Sequence, residues 1–243
     1  MSLSGKRALV TGGSGHIGGA ICRTLAAAGA EVIVHGNRQA ARASESVQEI
    51  IAAGGSALPL SFDIRDEKAV QAALETLPDG PAIQIVVHAA GRHDDAPLAG
   101  MSQEQWSGPV DISLNGFFNV IRPLLLPMVR TRWGRVIAIS SVSGLIGNRG
   151  QANYAAAKAG LHGAVKSLAL EYASRGVTGN VVAPGVIATP ETNEQFPEDR
   201  IASLVPMQRA GQPEEVADLV GYLASDKAGY ITGQVIAVGG GLG

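Results

Sequence analysis

Three side chains in this sequence are spaced for proton-transfer chemistry. Ser141 closes an apolar segment, Tyr154 stands thirteen residues on in an alanine-rich stretch, and Lys158 follows four residues later. The stretch 151–158, Gln-Ala-Asn-Tyr-Ala-Ala-Ala-Lys, with its continuation through Leu168 and Leu170, predicts a helix. Residues four apart share a helix face, so the Lys158 ammonium can approach the Tyr154 phenol. A phenol titrates near 10, and a nearby positive charge favours its ionised form. Such a pair can give or take a proton near neutrality, with the Ser141 hydroxyl free to bond a substrate oxygen. Taken alone, Tyr-x-x-x-Lys on a helix is commonplace. The rest of the chain has to supply the context.

That context is a regular alternation. Apolar runs at 7–10, 31–35, 57–62, 83–89, 135–140, 179–183 and 234–238 read as strands, the kind buried on both faces of a parallel sheet. Helical patterns at 17–28, 40–53, 67–77, 103–129, 152–174 and 214–224 fall between them. The expected fold is α/β: one Rossmann-type, doubly wound parallel sheet of about seven strands with helices on both faces. Residues 1–243 carry no linker or repeat and read as a single domain. The stretch 189–212, with Pro190, Pro197 and Pro206, is weakly patterned and reads as a substrate lid.

Composition removes several function classes. The net charge of −2 gives no footprint for nucleic acid or an anionic membrane. Cys22 is the only cysteine, so no internal disulfide can form, which fits a reducing compartment. The N-terminus reads as entering a strand without a signal peptide, and no apolar run reads as membrane-spanning. A cytoplasmic protein with no metal site is the expectation.

The first strand runs into Thr11-Gly12-Gly13-Ser14-Gly15-His16-Ile17-Gly18 and then a helix. Glycines there permit a tight turn and let a pyrophosphate approach the helix N-terminus, where free amides favour negative charge. The end of the second strand reads His35-Gly36-Asn37-Arg38, without the acid that would hold a ribose 2′-hydroxyl. Arg38 can pair with a 2′-phosphate, which favours NADPH over NADH.

Together these residues resemble the short-chain dehydrogenase/reductase family over essentially the whole chain, and within it the 3-oxoacyl-[acyl-carrier-protein] reductases most. The matching pieces are the glycine turn, Asp63, Ala90-Gly91, the Ser141/Tyr154/Lys158 trio, Asn180, the run Pro184 to Thr189 and the ending 231–240. The resemblance implies that Tyr154 protonates a carbonyl oxygen, Ser141 orients it, and Lys158 binds the nicotinamide ribose and lowers the tyrosine pKa. It also implies cofactor contacts from Gly12, Ser14, Gly15, His16, Ile17, Gly18, Asn37, Arg38, Asp63, Ile64, Ala89, Ala90, Gly91, Pro184, Gly185, Ile187 and Thr189. An acyl-carrier protein is the implied partner, docking on Arg132 and Arg175, whereas Arg130 and Arg135 read equally well as solvated charges. The homotetramer expected by the same resemblance pairs helices 103–129 and 152–174 across a twofold axis.

The chain departs from the family pattern at three places. His16 occupies the middle glycine of the usual Thr-Gly-x-x-x-Gly-x-Gly, and His88-Ala89-Ala90-Gly91 replaces Asn-Asn-Ala-Gly. The asparagine of the catalytic tetrad is expected within 111–116, where register places Ser113 rather than Asn115. Two other readings compete with the carrier-bound ketone. One is an oxidoreductase for another small alcohol, sugar or ketone, and the other is a nucleotide-binding protein without catalysis. Ile201, Leu204, Val205, Met207 and Phe196 in the lid favour an acyl chain over a sugar.

Overall fold

The computed structural model describes residues 2–37, 40–190, 192 and 197–243. Its seven strands are β1 (Arg7–Thr11), β2 (Glu31–His35), β3 (Ser56–Leu60), β4 (Ile83–His88), β5 (Gly134–Ile139), β6 (Val177–Pro184) and β7 (Val235–Val238). They form one parallel sheet in the order β3-β2-β1-β4-β5-β6-β7. Winding therefore reverses between β1 and β4, and the loops leaving those two strands diverge to open a crevice at their carboxyl ends. This is the doubly wound α/β fold that the alternation predicts.

The helices are α1 (His16–Ala27), α2 (Ala40–Ala52), α3 (Glu67–Glu75), α4 (Gln103–Val110), α5 (Gly116–Thr131), α6 (Ser143–Ile146), α7 (Ala152–Tyr172), α8 (Glu198–Leu204) and α9 (Pro213–Ala224). Several starts are set locally. The Asp66 carboxylate accepts from the Lys68 and Ala69 amides to cap α3, and Ser102 with Gln105 forms a capping box at α4. Strand side chains alternate between two cores. Ala8 and Val10 pack with Ile21 and Leu25 of α1, Val47 of α2 and Val220 of α9, while Leu9 packs with Val120 of α5 and Leu161 of α7.

A π turn, Asp111–Asn115, joins α4 to α5, so the helix runs unbroken from Gln103 to Thr131. It is long and apolar enough to cross a membrane, contrary to the expectation that no run reaches that length. Its Phe117, Val120, Leu124 and Met128 are buried against the sheet, which accounts for the apolarity as that of a core helix. The stretch expected to be irregular at 189–212 contains α8.

Candidate active site

The crevice is shaped first by close backbone contact. Gly12 adopts φ +69, and a Cβ there would stand 2.9 Å from Ala90 Cα, so the loops after β1 and β4 touch at this residue. A Cβ on Gly18 would fall 2.1 Å from the Gly12 carbonyl oxygen, which fixes the turn against the first turn of α1. Gly15 caps α1 without any side-chain hydrogen bond, and no acid occupies the first turn. This amide-rich cradle, which side chains would fill, fits a dinucleotide pyrophosphate. Ser14, His16 and Ile17 complete the turn and are partly buried.

The His35 ring supports the cradle from below. The Gly12 amide donates to His35 Nδ1 at 3.2 Å, and Nε2–H donates to the Phe62 carbonyl at 3.0 Å. Burial pushes its pKa down, consistent with the neutral tautomer these bonds require. Asn37 is exposed beyond β2, and Arg38 lies outside the described residues, as does Phe196. Asp63 forms a close ion pair with Arg65, at 2.6 Å from Nη2. The neighbouring Ile64 carbonyl accepts from Asn119 Nδ2 at 3.0 Å. On the other side, the Gly185 amide donates to Val238, and Ile187 bridges to Gly211. Thr189 Oγ1 accepts from the Thr192 amide at 3.2 Å.

The trio comes together at the carboxyl ends of β4 and β5. Asn153 fixes the start of α7: its Nδ2 donates to the Asp94 and Gln105 carbonyls, and its Oδ1 accepts from the Tyr154 amide. Ser141 stands near enough to the Tyr154 hydroxyl to lower its pKa, and its Oγ accepts from the Ser143 amide at 3.1 Å. Lys158 is 3% exposed, and its Nζ donates to the Ile139 carbonyl at 2.9 Å. Gly91 lies alongside, since a Cβ there would be 3.1 Å from Lys158 Nζ. Lining the mouth, His93 stacks on Tyr154 with ring centroids 4.0 Å apart, and Gln151 Nε2 bonds both His93 Nδ1 and Asp95.

Electrostatics differ from the sequence expectation. Burial pushes the Tyr154 phenol up to about 12, against the lowering effect of the nearby Ser141 hydroxyl and with a further raise from the Asp95 carboxylate. Burial also pulls Lys158 down to about 8. The lysine stands 5.6 Å from the tyrosine ring centroid and is turned to a carbonyl, so the chain by itself does not bring the phenol toward neutrality. At neutral pH Tyr154 is a protonated acid.

Ser113 lies in the π turn, wholly buried, and its carbonyl accepts from His88 Nε2. Asn115 is exposed and donates to Asp111 at 2.7 Å. Three supporting residues escaped the sequence reading: Asn153, Gln151 and His93. Only the polarity of Asn153 next to Tyr154 hinted at a cap.

Arg132 and Arg175 are exposed and adjacent, with Arg132 donating to the Ser174 carbonyl. They precede β5 and β6, whereas Ser141 follows β5. Six strand residues at about 3.3 Å each separate them from the trio by about 20 Å. Within one chain the arginines and the trio therefore lie at opposite ends of β5. Arg135, read as a possible solvated charge, is instead buried, bonded to the Ser225 carbonyl and stacked on Trp133.

Comparisons agree with this geometry. The family model described as Enoyl-(Acyl carrier protein) reductase matches residues 13–243. The chain is 44% identical to the 3-oxoacyl-[acyl-carrier-protein] reductase FabG of Aggregatibacter actinomycetemcomitans, over 96% of this chain and 98% of that protein. It is 42% identical to FabG of Escherichia coli K12, over 100% of this chain and 99% of the relative. A gluconate 5-dehydrogenase from Burkholderia cenocepacia, crystallised with NADP and tartrate, superposes with a TM-score of 0.92 at 31% identity, covering 99% of this chain and 96% of that one. With its crevice, its trio and these full-length relatives, the chain belongs to the short-chain dehydrogenase/reductase family.

Proposed function

We propose that the chain reduces a 3-oxoacyl group, held as a thioester on acyl-carrier protein, to the 3-hydroxyacyl form, using NADPH. Fatty-acid synthesis or related polyketide or polyene assembly calls for this step. The observation that carries the reading is the buried, protonated Tyr154 with Ser141 near its hydroxyl and Lys158 one helical turn on, in a chain whose full-length relatives are named as 3-oxoacyl reductases. NADPH, when bound, supplies the hydride to the carbonyl carbon.

The chain's residues do the rest. Tyr154 gives its proton to the carbonyl oxygen, and Ser141 orients that oxygen. Lys158 holds the ribose and assists the return of a proton to Tyr154, with Ser113 completing the tetrad. Gly12, Ser14, Gly15, His16, Ile17 and Gly18 cradle the diphosphate, and Asn37 and Arg38 take the 2′-phosphate end. Asp63 and Ile64 flank the adenine, Ala89, Ala90 and Gly91 pass the ribose, and Pro184, Gly185, Ile187 and Thr189 close the nicotinamide side.

The neighbouring gluconate 5-dehydrogenase makes a polyol the competing substrate. Against it stand Leu204 and Met207, exposed apolar side chains of the 189–212 lid that cannot bond hydroxyl groups, while its Ile201 and Val205 are buried. The chain's single α/β unit would then act in the cytoplasm as a homotetramer. Support comes from apolar side chains left exposed on the paired helices, including Phe118, Leu126 and Leu170. α5 and α7 both run from the trio toward Arg132 and Arg175, so a twofold between copies sets them antiparallel. The partner copy's arginines would then face this chain's cleft, giving an acidic carrier a docking surface across the interface.

The test is NADPH and NADH oxidation with a carrier-bound 3-oxoacyl substrate beside gluconate-type polyols and free ketones. Fastest turnover of the carrier-bound substrate with NADPH supports the reading. Faster turnover of a polyol, or a preference for NADH, overturns it. Reversing Arg132 and Arg175 to Glu should raise the KM for the carrier-bound substrate alone; an equal rise for a small thioester removes them from docking.

A further inference from the structure

His88 is the last residue of β4 and is 0% exposed. A titratable ring in that position has to be satisfied from within, and both nitrogens are. Nε2 lies 3.0 Å from the Ser113 carbonyl, which can only accept, so Nε2 carries the proton. Nδ1 then accepts from the Thr11 hydroxyl at 3.3 Å. The Thr11 oxygen in turn accepts from the Ala90 amide at 3.3 Å. The donors form one directed chain: Ala90 amide, Thr11 hydroxyl, His88 imidazole, Ser113 carbonyl.

That chain joins three pieces of the crevice. Thr11 leads into the glycine turn, Ala90 lies beside Gly91 and therefore beside Lys158 Nζ, and Ser113 belongs to the π turn. A π turn widens the helix and redirects its carbonyls, and His88 is long enough to take the one at Ser113 from the sheet. Phe117, one helical turn on, meets the ring edge-on with centroids 5.6 Å apart and holds its orientation. Burial and the Lys158 charge keep the imidazole neutral, so no second cation sits beside the lysine. With its carbonyl held by His88, Ser113 keeps a wholly buried Oγ that has no protein partner, a group buried hydroxyls satisfy with internal water.

We propose that His88 is a positioning residue for the reaction: it clamps the π turn to the sheet, fixes the Ser113 hydroxyl relative to Lys158, and ties both to the glycine turn. The inference rests on the reading that Ser113 and Lys158 act in catalysis. An ordinary core histidine would give stability alone. Here each ring nitrogen has a separate task, and the tasks can be separated.

The amide nitrogen of Gln can stand where His Nε2 stands, whereas Asn reaches only the Nδ1 position. His88→Gln should therefore keep the Ser113 bond, and His88→Asn should lose it. With a small 3-oxoacyl thioester and NADPH, His88→Gln is expected to retain kcat within about threefold. His88→Asn should lose about tenfold or more in kcat with the NADPH KM little changed, as expected for misplacement near the reacting groups. Thermal denaturation of each variant accompanies the kinetics. Equal kcat for the Asn and Gln variants, or kcat values that simply follow melting temperature, overturn the positioning role. Ser113→Ala is measured beside them. If it is slowed while Asn and Gln at position 88 behave alike, only the His88 inference fails; if Ser113→Ala has wild-type kcat, the reading beneath it fails too.

Discussion

Replacing Lys158 by Met should inactivate the protein and stabilise it. The ammonium is buried, with the Ile139 carbonyl as its hydrogen-bond acceptor, and burial moves its pKa from 10.5 to about 8. At about 1.4 kcal/mol for each pH unit, keeping the charge folded costs about 3 kcal/mol. Met matches the length of Lys without the charge but gives up the bond to Ile139, a loss of about 1 kcal/mol. The net gain at pH 7 is about 2 kcal/mol, or roughly 4–8 °C in melting temperature for a chain of this size. The sign with pH follows from linkage. Below pH 8 folded and unfolded states both hold the proton, so the full cost is present. Between about 8 and 10.5 the unfolded state holds more protons, and wild-type stability rises relative to the variant. Urea denaturation of both proteins without cofactor, at pH 7 and at pH 10, measures the gap. A variant less stable than wild type at pH 7, or a gap that does not narrow with pH, would refute the burial argument.

Arg38→Ala should raise the Kd for NADPH well above tenfold while leaving NADH nearly unchanged, as fluorescence titration would show; a charge-assisted bond to a 2′-phosphate is worth about 1.5–3 kcal/mol. Asn115→Ala should leave turnover within about twofold, because its amide bonds only Asp111 at the surface; a loss larger than that of Ser113→Ala in steady-state kinetics would make Asn115 the tetrad member. Light scattering at micromolar concentration should give a tetramer, and Leu170→Glu, at a side chain 87% exposed in the single chain, should dissociate it. A monomeric wild type would remove the docking surface proposed across the twofold.

Much of this was legible beforehand because parallel strands buried on both faces leave a plain signal. Runs such as Ile85 to Val87, apolar at every position and wholly buried, mark the central strands, and the two edge strands follow from their place in the alternation. Tyr154 and Lys158 share a helix turn, and their relation is local. What escaped is long-range. Neither the π turn nor the bond from β4 to Ser113 leaves a periodic trace, so His88 read only as an odd residue in a loop motif. Sequence spacing shows the charge near Tyr154 but not the burial that raises its phenol in the chain alone. The separation of Arg132 and Arg175 from the trio is likewise not legible in the sequence: few residues lie between Arg132 and Ser141, yet they span a whole strand.

The most direct test of the account is Tyr154→Phe. That change removes the hydroxyl that meets Ser141 and leaves the ring that stacks on His93. NADPH affinity by fluorescence titration and melting temperature should stay near wild type. Turnover of a carrier-bound 3-oxoacyl substrate should fall by roughly a hundredfold or more, the usual contribution of a positioned acid. Near-normal turnover in a folded, NADPH-binding Tyr154→Phe variant would contradict the assignment of Tyr154 as the proton donor.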